Sequence, residues 1–291
     1  MPSRKKRRKS KPDEPSLAAQ ACKYRCYGLS VQEPEHEVDF FDARYREFFG
    51  RTPLVLREDF CGTFAVCCEW VKSHQNRTAL GVDLDPEPLA WGREHLLSQL
   101  DADQRDRVTL MERDVREHVA ERPHLPRAEI LAAQNFSFWL FTTREELLAY
   151  FRAAHRHLAD EGLMVMDMMG GSECMEEDRE DVRKIEGYAK PVGRFKYIWR
   201  TDRVNPVTMQ IQQSISFRFA DGTRIEPAFE YHWRMWSIAE VRELLAEAGF
   251  SESHVYWAEY DEEEEEETGE WFRTEDAPAD PSWVAYIVAR R

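Results

Sequence analysis

From Pro53 onward the chain alternates short apolar runs with longer stretches whose apolar positions recur every three or four residues. Runs of the first kind suit buried strands, and stretches of the second kind suit helices packed on a sheet. The pattern predicts strands over 53–58, 78–84, 107–112, 128–134 and 162–168, and helices over 63–74, 86–100, 115–120 and 143–159. Parallel strands need a crossover that packs on a sheet face, so the alternation predicts an α/β fold with a doubly wound, mostly parallel sheet. Ligands of such sheets lie at the carboxyl ends of the strands. Farther along, Ser237 with Glu240 three residues later reads as a capping box and Gly249 as a stop, so a helix is expected from Ser237 to Ala248. Val255 to Tyr260 and Trp283 to Ala289 read as two closing strands around an acidic loop, which brings the expected sheet to seven strands.

Between Gly170 and Trp236 the period shortens to two. Arg194 to Arg200, Thr208 to Phe219 and Thr223 to Trp236 alternate polar and apolar residues, with turns at Asn205-Pro206 and Asp221-Gly222. Such segments predict antiparallel strands, so 173–236 is expected to be a β insertion lying as a lid over the strand ends of a core made from 51–172 and 237–291. Upstream, Phe40, Phe41, Tyr45, Phe48 and Phe49 recur at helical spacing, and 17–50 is expected to form a helical cap with a break at Gly28 to Pro34. Residues 1–16 carry no apolar periodicity and are expected to be a disordered basic tail.

With 291 residues, 42% hydrophobic and 12% aromatic, the chain can bury one sizeable core and a small accessory region. Its net charge of −15 argues against broad phosphate-backbone binding, so no nucleic acid is expected on the folded core. The basic run from Arg4 to Lys11 suits a nuclear address, a nucleic-acid-binding tail or a solvated terminus, and the acidic run from Asp261 to Glu267 suits a solvated loop. No apolar run approaches the roughly 18 to 20 residues of a membrane span and no secretory signal is read, so a soluble cytoplasmic protein is expected, or a nuclear one if the basic run is an address. The six cysteines (Cys22, Cys26, Cys61, Cys67, Cys68, Cys174) form neither a disulfide framework nor a paired zinc pattern. Cys22 and Cys26 lack the third cysteine of an iron–sulfur motif, and His155 and His157 fall on different helix faces, so no metal is expected.

The chemistry concentrates in Val55-Leu56-Arg57-Glu58-Asp59-Phe60-Cys61-Gly62-Thr63-Phe64, followed by Gly81-Val82-Asp83-Leu84-Asp85-Pro86. This is a strand, a tight loop opening a helix, and a second strand ending in an acid, the spacing of a nucleoside-binding βαβ unit. Asp83 at that strand end can accept hydrogen bonds from both ribose hydroxyls, whereas Asp85 before Pro86 suits a helix N-cap. A dinucleotide loop wants G-x-G-x-x-G/A, but here Phe60 occupies the first place, which would crowd a pyrophosphate.

The string from Glu58 to Phe64 instead resembles the first motif of class I S-adenosylmethionine-dependent methyltransferases, acid-x-Gly-x-Gly-x-Gly with Cys-Gly-Thr in its centre. Glu58 takes the acidic place and Gly62 the middle glycine, while Phe60 and Phe64 depart from the pattern. The resemblance implies a Rossmann-like fold and S-adenosylmethionine as cofactor, held by Glu58, Phe60, Cys61, Gly62 and Thr63 of the loop, by Asp83 and Leu84, and by Asp114 and Val115 at the adenine. It also implies that Tyr24 lies against the methionine moiety. Asn135, in Gln134-Asn135-Phe136-Ser137-Phe138-Trp139, falls where the methyl acceptor meets the sulfonium, and the aromatic residues around it can hold a cation. His232 stands just before the last marked helix as a candidate general base. The order from Tyr231 through Phe250 looks like members acting on amines or amino sugars. Methyl transfer to nitrogen or oxygen of a small molecule is therefore expected, with a protein or RNA methyltransferase recruited by the basic tail, or an inactive cofactor-binding module, as the alternatives. The oligomeric state is left open.

Overall fold

The structure is a computed structural model that describes residues 15–117, 126–189, 191–261 and 266–291. The basic run, residues 118–120 of the expected fourth helix and most of the acidic run fall outside the described residues. Five parallel strands, β1 (Val55–Asp59), β2 (Thr78–Asp83), β3 (Val108–Glu112), β4 (Ala128–Ala133) and β5 (Leu158–Gly170), build the centre of the main sheet. A second, antiparallel sheet follows, made of β6 (Glu180–Ala189), β7 (Gly193–Asn205), β8 (Gln210–Phe219) and β9 (Arg224–Arg234). The chain then returns to the main sheet as β10 (Glu252–Asp261), β11 (Glu266–Thr274) and β12 (Trp283–Arg290), giving the order β11-β10-β12-β5-β4-β1-β2-β3. The fold is thus α/β, with a mostly parallel central sheet and an added antiparallel one.

Both faces of the main sheet are buried, and the period of two along its strands divides the core. Ile130, Ala132, Leu163 and Val165 point to one side, toward the helices α3 (Pro34–Phe49) and α4 (Ala65–Ser73), which supply Phe41, Tyr45, Trp70 and Val71. Leu131, Ala133, Met164 and Met166 point to the other, toward Tyr150 and Phe151 of the helix Arg144–His157 and Leu244 and Leu245 of the helix Ile238–Ala248. Both of those helices open with a complete capping box, Thr143 with Glu146 and Ser237 with Glu240, and Gly249 at φ 111° ends the second.

The sheet has eight strands where seven were expected. Glu266–Thr274 is too rich in glutamate to read as a strand, but Trp271 packs edge-on against Phe40 and Tyr286, and this tertiary contact outweighs local propensity. In the same way β6 is strongly polar and was not read as a strand, and is fixed by its ladder to β7. The N-terminal region holds three helices, Leu17–Gln20, Lys23–Ser30 (α2) and α3, rather than two. The helix that begins at Pro86 ends at His95, and a separate short helix, Ala102–Asp106, follows.

Phe60 and Phe64 adopt the left-handed backbone that favours glycine. Their φ values are 57° and 50°, with Gly62 between them at 51°, so the loop after β1 carries three left-handed residues in alternation. The aromatic side chains turn away from the loop. Phe60 lies against Phe141 and Tyr150, with ring centroids 6.0 and 5.4 Å apart, and Phe64 is fully buried beside Gly92, where an added Cβ would fall 2.5 Å from its ring. Their packing holds a backbone shape that would otherwise cost each of them about 1 kcal/mol or more. Phe64→Leu is expected to lower stability by about 1–2 kcal/mol, measured by chemical denaturation, through the space left beside Gly92.

Candidate active site

The loops after β1, β2 and β4 meet above the carboxyl ends of the strands. Asp83, the last residue of β2, accepts the Gly62 N–H on Oδ2 at 2.7 Å and the Asp85 N–H on Oδ1 at 2.8 Å, so it ties the first loop to its own. Asp85 in turn caps the next helix by accepting from the Glu87 N–H. Glu58 lies under the start of α4, where its Oε2 accepts the Cys67 N–H at 3.0 Å. Burial pushes the Glu58 carboxyl up to about 7 against the pull of that hydrogen bond, and raises that of Asp83 against its backbone donors.

These loops enclose a cavity of about 260 Å³. Of the residues expected to bind cofactor, Tyr24, Glu58, Phe60, Cys61, Gly62 and Thr63 line it, together with Asp83 and Asn135. Gln134 lines it too. Its side chain is 7% exposed, and neither amide atom has a hydrogen-bond partner among the described residues. A buried amide so placed calls for a polar ligand in the cavity.

A second cavity, of about 670 Å³, lies between the main sheet and the antiparallel sheet. It shares Tyr27, Val31, Glu33, Glu37, Asn135 and Tyr231 with the first. Its walls are aromatic, with Phe136, Trp199, Trp233, Trp271, Trp283 and Tyr286. On its floor Asp167 of β5, 8% exposed, accepts the N–H groups of Asn135 and Phe136 at 3.0 and 3.1 Å. Both donors have φ 57°, so the carboxylate pins an unusual backbone turn exactly where the cavities meet. Burial pushes its carboxyl up to about 7, opposed by the two N–H groups.

No protein-family model matches the chain, and no curated protein matches it in sequence. Solved structures do match. An S-adenosylmethionine-dependent methyltransferase from Clostridium acetobutylicum superposes with TM-score 0.62 at 15% identity, covering 92% of this chain and 97% of that one. An amino pentose methyltransferase of calicheamicin biosynthesis from Micromonospora echinaspora gives TM-score 0.62 at 16% identity, covering 92% and 96%. A sugar N-methyltransferase from a Streptoalloteichus species gives 0.60 at 16%, covering 99% and 100%. The chain has the methyltransferase fold.

Not every residue expected from the sequence reaches the cavities of this methyltransferase fold. Leu84, just past β2, is 68% exposed. Asp114 is paired with Arg116 at 2.6 Å, a hydrogen-bonded contact that holds its carboxyl below the usual range. Val115 is buried in the core, its carbonyl accepting from the Arg57 guanidinium at 3.0 Å. None of the three lines either cavity. His232 is a correction. It alternates along β9 with Tyr231 and Trp233, which face the large cavity, so its own side chain stands exposed on the other side of the sheet and is no candidate base.

Asp167, Glu37 and the free amide of Gln134 were missed. A readable signal existed for the first two. Asp167 is a lone acid in Leu163-Met164-Val165-Met166-Asp167-Met168-Met169, and Glu37 shares a helix face with Phe40 and Phe41. An acid on an otherwise apolar face needs a partner or a task.

Proposed function

We propose that the protein is an S-adenosylmethionine-dependent methyltransferase acting on a small molecule, at nitrogen in preference to oxygen. The observation that carries this reading is the pair of cavities meeting at Asn135, one edged by Asp83 at the end of β2 and the other walled by aromatic rings. S-adenosylmethionine supplies, when bound, a methyl group on a sulfonium centre.

The residues present fit that cofactor. The Asp83 carboxylate has acceptor capacity left beyond its backbone donors for ribose hydroxyls, and Gln134 offers a buried amide that lacks partners among the described residues. Glu58 and Asn135 flank the same space. Aromatic faces and buried carboxyls in the larger cavity favour a cationic guest over a neutral or anionic one. Positioning of the two reactants in adjoining cavities can supply much of the rate. The antiparallel sheet roofs the larger cavity, which supports a small acceptor rather than a protein or RNA segment. The amino pentose and sugar N-methyltransferases of like fold point the same way.

The test is calorimetric titration of the whole chain with S-adenosylmethionine, S-adenosylhomocysteine and, as control, NAD. Binding of the first two in the micromolar range, or about −8 kcal/mol, without binding of NAD is expected. Binding of NAD alone would replace this reading with a dinucleotide one.

A further inference from the structure

Glu37 lies in the first turn of α3, on the wall common to both cavities. Its Oε1 accepts the Tyr286 hydroxyl at 2.9 Å, whereas its Oε2 is buried with no hydrogen-bond partner among the described residues. Tyr286 is itself fixed, stacked on Phe40 at 4.0 Å and crossed by Trp271 at 4.6 Å. The carboxyl is therefore aimed by an aromatic frame, with one oxygen held and the other free.

The groups acting on Glu37 are acids: Glu33, the N-cap of α3, Glu58 of β1 and Asp167 of β5. None of Glu37, Glu58 and Asp167 has a Lys or Arg ion-pair partner among the described residues. His36 and Arg179, Asp181 and Arg183 line the larger cavity, but Arg179 is paired with Glu173 and Glu176, and Arg183 lies over the Tyr197 ring. Three carboxyls on the walls of adjoining cavities, with no Lys or Arg ion-pair partner among the described residues and His36 lying beside the Trp271 and Tyr286 rings, suit a cation that arrives from outside.

We propose that Glu37 is a catalytic residue of this protein: its free Oε2 binds the ammonium nitrogen of an amine acceptor and takes the proton that this nitrogen must lose before it can attack. The proposal rests on the methyltransferase reading. One N–H bond breaks and its proton passes to Glu37. The nitrogen keeps the electron pair and forms the C–N bond to the methyl group, while the C–S bond breaks and leaves its pair on sulfur. The product is the methylated ammonium, and Glu37 keeps the proton until the next ammonium ion displaces it, so one proton leaves per turnover. Burial and the neighbouring acids raise the Glu37 carboxyl well above its ordinary range, whereas an entering ammonium ion favours the ionised carboxylate and so draws a proton off it.

Displacement of a proton can be measured without turnover. The whole chain, saturated with S-adenosylhomocysteine, is titrated with benzylamine by calorimetry near neutral pH, in two buffers of different ionisation enthalpy. Benzyl alcohol is titrated as the uncharged counterpart. Net proton release on benzylamine binding is expected, with binding about tenfold or more tighter than for the alcohol. Glu37→Gln should abolish the proton release and lower methyl transfer to the amine about a hundredfold, while S-adenosylhomocysteine still binds and so reports a folded site. Benzylamine that fails to bind, that binds without proton release, or that releases the same proton from Glu37→Gln overturns the assignment and leaves the methyltransferase reading standing. If S-adenosylhomocysteine itself does not bind, both fall.

Discussion

Asp83→Ala is expected to weaken binding of S-adenosylmethionine and S-adenosylhomocysteine about a thousandfold each. The carboxylate ends β2 with its oxygens already oriented by the Gly62 and Asp85 N–H groups, so a diol meets acceptors that need no rearrangement. Two hydrogen bonds to a charged group contribute roughly 3–6 kcal/mol together, and a thousandfold corresponds to about 4 kcal/mol. Equal loss for the two ligands is part of the expectation, because both carry the ribose and only one carries the sulfonium charge. Calorimetry decides it, with thermal unfolding run in parallel because the same carboxylate ties two loops together. A change in affinity below about threefold would remove Asp83 from the site.

Asp167→Ala is expected to act on turnover instead, lowering kcat about a hundredfold while affinity for S-adenosylhomocysteine changes little. It removes the acceptor of two N–H groups on consecutive left-handed residues, so the Asn135 turn loses what holds it at the meeting of the cavities. Misplacement by about 1 Å is enough to cost two orders of magnitude in a reaction that depends on alignment. The conservative Asp167→Asn separates alignment from stability. The folded carboxyl titrates near 7, well above the 3.8 of a free aspartate, so between those values the folded protein holds a proton that the unfolded chain has released. This group therefore favours the folded state progressively as pH falls from about 7 toward 4, and weighs against it above about 7. Asp167→Asn should flatten that part of the stability curve and unfold at a relatively higher temperature at pH 8 than at pH 5, each compared with wild type. An unchanged pH slope would mean that Asp167 is ionised throughout.

The parallel part of the sheet was legible because each strand is an apolar run and each crossover an amphipathic one. Glu266–Thr274 and β6 were not, since their composition is polar and their place is set by partners distant in sequence, Tyr286 and Phe40 in one case and the β7 ladder in the other. That the loop residues from Glu58 to Thr63 and Asp83 lie beside a cavity was readable because they stand at strand ends. The acceptor side was harder. A histidine near a marked helix drew attention to His232, but in a strand one residue decides the face, and Tyr231 and Trp233 hold the inner one. Conversely Glu37 and Asp167 looked like isolated charges until the fold brought α3, β5 and the turn after β4 to one wall.

The N-terminal helices and the antiparallel sheet share a core of their own. Cys26 of α2 packs with Phe195, Tyr197, Ile215 and Phe217, and the Leu17 and Ala18 N–H groups bond to Asp221 and Thr223. Tyr24 on α2 walls the smaller cavity, and Tyr27 on the same helix walls both, as does Tyr231 of β9. A helix so fastened cannot lift from one cavity without disturbing the roof of the other. Entry and exit of the two ligands are then coupled, and the steady-state rate law should show ordered rather than independent addition, with the first ligand in also the last one out.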